Sequence, residues 1–475
     1  MSGDADLSEE AGPDEAAEAR EPGRAALDED YALAAGFVDL VIDAADRGDG
    51  ARLAELLGAL HPADVADLMG FLSADYRVQM VPHIPAGALA EILSELDTNI
   101  REEVLEHLAP AALAKALEGL DSDDAADVVD DLDEERRARV LAAMAPVERT
   151  AIEASLAYDD DTAGRLMQRE VAVAPQFWTV GQAIDHLRAA GETLPELFFD
   201  LYVVDPAMRP VGAAPVSSLV RARRATPLAE IMEPVTEIPV DMDQEEVAYI
   251  FDKYHLISAP VVDQGGRLVG QITVDDVVGV IQEESEEDML ALANVSDAGR
   301  DASMGGIVRS RLPWLTINLV SETVAVSAIA IFQDEIAKVV ALAVLLPIIS
   351  SLGNNASVQT LAVAVRSLAS RELNAANTWR VIRREVIAGL ANGLALSAIM
   401  GAAVVGFYHD WKLALTAALA LMADIVIAAI IGILAPLALE KMGRDPAVSS
   451  PIIVTFVTDF VGFFALLAIA AAIIL

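Results

Sequence analysis

Asp459 interrupts an otherwise apolar stretch, Pro451-Ile452-Ile453-Val454-Thr455-Phe456-Val457-Thr458-Asp459-Phe460-Val461-Gly462-Phe463-Phe464, which stays apolar as far as Leu475. The run is long enough to cross a hydrocarbon core about 30 Å thick. At a rise of about 1.5 Å per residue, Asp459 falls about 13 Å along a helix begun near Ser450, close to mid-membrane. A carboxylate there costs about 3 kcal/mol on insertion scales, so it needs a partner, a water-filled path or a cation. Two chemistries are open to it: ion passage, or hydrogen bonds that fasten helix to helix. Asp424 and Glu322 are the other acids inside apolar segments, each either a second ion contact or an interhelical partner. Asn354, Asn355, Gln359, Thr455 and Thr458 add uncharged oxygens. These can hydrogen-bond the waters of a passing ion, or join helices to one another.

Composition separates two kinds of sequence. The chain has 475 residues, room for several domains. Hydrophobic residues make up 54% of it, yet the formal net charge is −42. An acidic soluble part up to about residue 300, followed by a membrane part, reconciles those values. The acidity argues against nucleic acid as partner, since no basic stripe is present to neutralise phosphates. It suits divalent cations, and it suits high salt, where abundant cations screen self-repulsion. Lysine is sparse beside arginine, which points to a halophilic source. Cysteine is absent, so thiolate metal sites, disulfides and cysteine nucleophiles are excluded. The N-terminus lacks the charged-then-apolar pattern of a signal peptide, so the first domain is expected in the cytoplasm.

The elements that must position these residues fall in order along the chain. Residues 1–30 are acidic and poor in large apolar side chains, the composition of a disordered tail. Over 31–158 the pattern is helical and loosely repetitive, with Pro62, Pro85 and Pro110 each placed to open a helix. A period of roughly two dozen residues predicts a small right-handed superhelix of stacked helix pairs. The acidic run 121–133, with Asp127 and Asp130, either binds cations or is a solvated face. Over 159–281 a β-α-β-β-α pattern occurs twice, about 159–224 and 225–281. It includes Ala259-Pro260-Val261-Val262-Asp263 and a strand from Leu268 running into a helix at Val274-Asp275-Asp276-Val277-Val278. The doubled unit resembles a tandem pair of CBS domains, regulatory modules that bind nucleotides or ions. Residues 282–311 read as a connector helix, acidic at 283–288 and basic at Arg309 and Arg311.

Five hydrophobic spans follow within 312–475, at about 312–332, 337–365, 386–408, 412–439 and 450–475. Arg366, Arg371, Arg380, Arg383 and Arg384 lie between the second and third, and Lys441 and Arg444 between the fourth and fifth. Positive charge marks the cytoplasmic side, which places the N-terminus inside and the C-terminus outside. Trp314, Trp379 and Trp411 fall where an aromatic belt would put them. The expected fold class is a multidomain membrane protein: a cytoplasmic α-superhelical domain, an α+β tandem CBS pair, a connector helix and an all-α domain of five transmembrane helices.

Several segments together resemble one family. They are Arg311-Leu312-Pro313-Trp314 at the first span, Pro347-Ile348-Ile349-Ser350-Ser351-Leu352-Gly353-Asn354-Asn355-Ala356-Ser357-Val358-Gln359 in the second, Arg384-Glu385 at the third, and Asp445-Pro446-Ala447 leading to Asp459. With the order of domains, they resemble the MgtE family of magnesium transporters over almost the whole chain. The resemblance implies a homodimer in the cell membrane, a gated channel-like path for Mg2+, and closure by cytoplasmic Mg2+ bound between the soluble domains. On that reading Asp459, Asp424, Asn354, Asn355 and Gln359 attend the ion. Asp127, Asp130, Asp275, Asp276, Glu284, Glu287 and Asp288 sense it. The chain departs from the family at Gly353-Asn354-Asn355-Ala356-Ser357, which is usually Gly-Gly-Asn-Ala-Gly, and at Gly279, where an acid is often found. One Asp459 per chain half compensates a divalent ion, and a two-fold dimer supplies the second carboxylate. The breakers in 347–359 predict a span that unwinds around the ion. Other divalent ions such as Co2+ or Mn2+ are an alternative cargo, although oxygen ligands without cysteine favour hard ions. A membrane-anchored nucleotide-sensing module is another alternative, with Thr273 and Asp276 on the ribose of a nucleotide such as ATP. No paired histidines and no Ser–His arrangement point to an enzyme.

Overall fold

The computed structural model describes residues 26–28, 31–85, 87–191, 194–195, 197–293, 295, 304–371, 373 and 377–474. The tail expected over 1–30 lies outside the described residues apart from Ala26, Leu27 and Asp28. The chain divides into two compact units, 1–281 and 282–475.

The first unit begins with short helices from Ala35–Asp46 to Pro146–Ser155. Pro62, Pro110 and Pro146 each occupy the first turn of a helix, where a missing N–H costs nothing. Pro85 does not: the next helix is Leu89–Glu95, beginning beyond Gly87. Glycine in the would-be first turn is a poor helix former, which delays the start. Helices pack on the one two places further along, as Pro62–Phe71 does on Leu89–Glu95 and Ser122–Asp130 on Pro146–Ser155. Their apolar faces, including Leu68, Met69, Leu93, Leu113 and Val129, merge into one buried core.

Two copies of one small sheet follow. In the first, β1 (Val173–Pro175) runs parallel to β2 (Asp200–Val204), which pairs antiparallel with β3 (Pro210–Pro215). In the second, β4 (Ile238–Pro239), β5 (Ser258–Val262) and β6 (Leu268–Thr273) repeat that order and those directions. Equivalent hairpin turns close on an aspartate: Asp205 Oδ1 accepts from the Ala207 and Arg209 amides, Asp263 Oδ1 from those of Gly265 and Arg267. The turn requires a left-handed residue, which is Gly266 in one copy (φ 72°) and Met208 in the other (φ 62°). The copies are tied by a relay in which Tyr202 donates to Ser258 Oγ (2.9 Å) and Ser258 to Asp200 (2.8 Å).

After β6 one helix, Val274–Leu292, continues through the start of the expected connector. Residues 294 and 296–303 lie outside the described residues. Arg309 and Arg311 belong to the helix of the first span.

The second unit contains five helices long and apolar enough to cross a membrane: Met304–Ile331, Ala341–Ala369, Thr378–Tyr408, Trp411–Lys441 and Pro446–Ile473. They are called the first to fifth spans below. The fourth is the most enclosed and the first the least. Small residues let the fourth span approach its neighbours: Gly389 and Gly393 of the third face Ala429 and Met422, and Gly432 meets the Ser357 carbonyl of the second. The second span is one continuous helix through Pro347, so the expected unwinding over 347–359 is not observed. Spans tolerate an internal proline when neighbours re-satisfy the freed carbonyl. Between the first and second spans lies a short helix, Gln333–Lys338.

Candidate ion-binding sites

The fifth span carries Asp459 three residues before Gly462, and the second carries Ser350 three residues before Gly353. The two helices run antiparallel along a polar seam. Ser350 Oγ donates to Asp459 Oδ1, and one turn away Thr455 Oγ1 donates to Asn354 Oδ1 at 3.1 Å. Asp459 is 7% exposed. Glu322 of the first span is its neighbour. Glu322 also lines a cleft of about 390 Å³ with Asn318, Ser321, Thr455 and apolar side chains of the first and fifth spans. Asp424 enters from the fourth span. It is wholly buried, lies within electrostatic reach of Asp459, and neither of its oxygens has a hydrogen-bond partner. Its carboxylate occupies the space a β-carbon would fill at Gly353, and lies 3.4 Å from such a position at Gly462.

The seam gathers some of the residues expected in it and leaves out others. Asn354 joins it, whereas Asn355 and Gln359 lie on an exposed face of the second span. Helical phase explains this, because a one-residue step turns a side chain about 100° around the axis. Thr458 returns its hydroxyl to the carbonyls of Val454 and Thr455, both at 3.0 Å, and serves its own helix. Ser350 was not singled out from the sequence, because serine in a span ordinarily bonds its own backbone.

The first unit holds a second concentration of acids. Burial first, then the charge of Asp276, pushes Asp123 well above the usual carboxylate range. Burial and the neighbouring Asp127, Asp121, Glu95 and Asp275 raise Asp124 to about 6. Asp276 rises to about 7 through burial, Asp275 and Asp124, although the Thr273 hydroxyl donates to it at 2.7 Å and opposes the rise. Carboxylates that hold protons this firmly lack positive charge nearby, the condition a divalent cation relieves. Asp127 is also raised by burial, although Arg165 and Arg101 oppose the rise, and it pairs with Arg165 (3.0 Å); Asp130 pairs with Arg137 (2.8 Å) and Arg165 (3.2 Å). Asp123 and Asp124 stand in the same acidic run.

In the second unit, Asp288 is raised by burial, then by Asp445, Glu284 and Glu287. Asp445 caps the fifth span by accepting from the Ala447 amide at 2.7 Å. It lies in the stretch before the fifth span but was not among the expected ligands. Among the described residues no three Asp, Glu or His side chains form a ready cage for a bare metal ion. Mg2+ usually keeps several of its waters and one or two carboxylates.

Helical and CBS-type domains joined to five apolar helices with embedded acids define a membrane protein that moves or senses a cation. Comparison with known proteins gives the particular family. The profile of MgtE, a divalent cation transporter, matches residues 346–469; that of the MgtE intracellular N domain matches 60–161, and a CBS domain 228–283. Magnesium transporter MgtE of Thermus thermophilus is 33% identical over 436 residues, 90% of this chain and 96% of that protein. Its counterpart in Bacillus subtilis is 30% identical over 336 residues, 70% of this chain and 74% of that protein. A crystal structure of the cytosolic domain of the Mg2+ channel MgtE in complex with ATP is 35% identical. It covers 51% of this chain and 99% of its own, with a TM-score of 0.48. The chain belongs to the MgtE family, whose members are transporters.

Proposed function

We propose that the chain is a Mg2+ transporter of the cell membrane that works as a homodimer, with a channel-like path closed by cytoplasmic Mg2+. Asp459 carries the reading: a carboxylate deep in the fifth span, held by Ser350 and bordered by Glu322 and oxygen-bearing side chains. Among the described residues it forms no ion pair with a basic side chain. A hydrated divalent cation meets that need, its waters held by Asn354, Thr455, Asn318 and Ser321. A two-fold dimer brings a second Asp459 to the path. The arginine-rich loop after the second span favours an N-terminus inside and a C-terminus outside.

Closure follows from the acids outside the spans. With Mg2+ low, Asp123, Asp124, Asp275 and Asp276 repel, as do Glu284, Glu287, Asp288 and Asp445. With Mg2+ high, shared ions neutralise them and stabilise the closed arrangement by as much as they prefer it to the open one. The Thr273–Asp276 pair, at a strand-to-helix turn, favours a second regulator: a nucleotide such as ATP whose ribose it would contact.

Mg2+ uptake into liposomes bearing the intact chain, with internal Mg2+ varied, tests this reading. Uptake that falls as internal Mg2+ rises supports it. Faster uptake of Co2+ or Mn2+ under the same conditions would reassign the cargo, and absence of any divalent flux would overturn transport.

A further inference from the structure

The third span, Thr378–Tyr408, opens with Arg380, Arg383 and Arg384, all exposed. Ile387, Leu390 and Leu394 follow along the helix and are exposed as well. At about 100° per residue all six side chains fall within about 60° of Ile387, so the three guanidinium groups stand at one end of an open apolar stripe. The fourth span takes the opposite side of this helix, through Gly389 and Gly393. Trp379, beside the arginines, is exposed too, as aromatic side chains are at a membrane boundary. Further cations gather at the same end of the bundle. Leu368 of the second span, Val381 of the third and Leu437 of the fourth pack together, which brings the exposed Arg366 and Lys441 to the end that carries the arginines.

Arg384 pairs with Glu385 at 3.1 Å, whereas Arg380 and Arg383 form no ion pair among the described residues. These cations go without an acid in a chain whose formal net charge is −42. A guanidinium fork suits phosphate oxygens, and an arginine stem lies along apolar surface while its head reaches the interface. A signal for orientation in the membrane needs only positive charge in the loop, not three arginines in phase with an apolar stripe. A soluble anion would leave the stripe unused.

We infer that the third span binds an anionic phospholipid, with Arg380 and Arg383 on its phosphate and its acyl chains along Ile387, Leu390 and Leu394. By charge, these arginines also offset the repulsion between an anionic leaflet and a chain this acidic. The inference goes beyond the transport reading: it rests on the spans crossing a bilayer and not on the cargo, so its test reads no ion flux.

The test is thermal unfolding of the full chain in neutral detergent, titrated with phosphatidylglycerol, with phosphatidylcholine of the same acyl chains, or with inorganic phosphate. Phosphatidylglycerol is expected to raise the midpoint at lower concentration than phosphatidylcholine, and phosphate is expected to leave it unmoved. An arginine near an anionic surface contributes about fivefold in affinity. The double variant Arg380→Gln with Arg383→Gln should therefore need at least tenfold more phosphatidylglycerol for half of the shift. Equal action of the two lipids, a shift with phosphate as large as with phosphatidylglycerol, or a half-shift concentration within twofold of the intact chain overturns the proposal. A double variant that elutes as a smaller particle than the intact chain would make this face a contact between copies, which also overturns it. Should the double variant not fold, Arg380→Gln and Arg383→Gln decide singly. At least one should raise the half-shift concentration threefold or more, and no rise in either overturns the proposal.

Discussion

Gly353 owes its size to a neighbour far away in the chain. A β-carbon there would overlap the Asp424 carboxylate, so Gly353→Ala should destabilise the membrane unit by about 1–3 kcal/mol, the usual cost of overpacking. Thermal unfolding in detergent measures this, and an unchanged midpoint would contradict the packing described. At this scale legibility was uneven. Asp459 stood out because a charge in an apolar run has few explanations. Ser350 did not, because only the antiparallel pairing of second and fifth spans brings it to the carboxylate. Asn355 and Gln359 were chosen by residue type, and helical phase turned them away from the seam. The partners that neutralise Asp127 and Asp130 include Arg165, which no local pattern connects to them.

Elements decide which acids are gathered together. Ser122–Asp130 presents Asp123 and Asp124 toward Asp276 at the start of the helix Val274–Leu292, while Asp127 on the same short helix pairs with Arg165. Asp124→Asn or Asp276→Asn should therefore raise the internal Mg2+ needed for half-inhibition several-fold, and Asp127→Asn should leave it within twofold. Equal effects from all three would contradict the assignment. The same elements set a pH dependence. Asp124 and Asp276 are raised to about 6 and about 7, so without divalent cations the folded state binds more protons than the unfolded one. Stability should then fall as pH rises from about 4 through about 7, since the slope follows the protons that the folded state holds in excess. Mg2+ competes with those protons, so its inhibitory affinity should rise between about pH 5.5 and about pH 7.5. Melting in EDTA and in Mg2+ across that range reads both effects, and an affinity independent of pH would contradict them. Strands, hairpin turns and the doubled β-α-β-β-α unit were legible, because turn residues such as Asp263 and Gly266 punctuate them. The late start of Leu89–Glu95 and the unbroken second span were not. In both, a breaker was read alone, without the glycine or the helix packing that decides its effect.

Across the whole molecule, the division into soluble acidic and apolar membrane parts followed from charge set against hydropathy, and the five long apolar helices all fall in the second compact unit. The MgtE membership expected from domain order and spaced motifs is established by relatives that align along most of the chain. Near the start of the fifth span, Glu284, Glu287, Asp288 and Asp445 concentrate negative charge. Replacing Glu284, Glu287 and Asp288 with their amides should leave transport less inhibited by internal Mg2+, by several-fold in half-inhibition. Unaltered inhibition would remove them from the sensor. The central claim is that Asp459 lies on the ion's path, and the most direct measurement is Mg2+ uptake by liposomes carrying Asp459→Ala beside the intact chain. Uptake should fall at least tenfold while the variant remains folded; uptake equal to that of the intact chain would contradict the account.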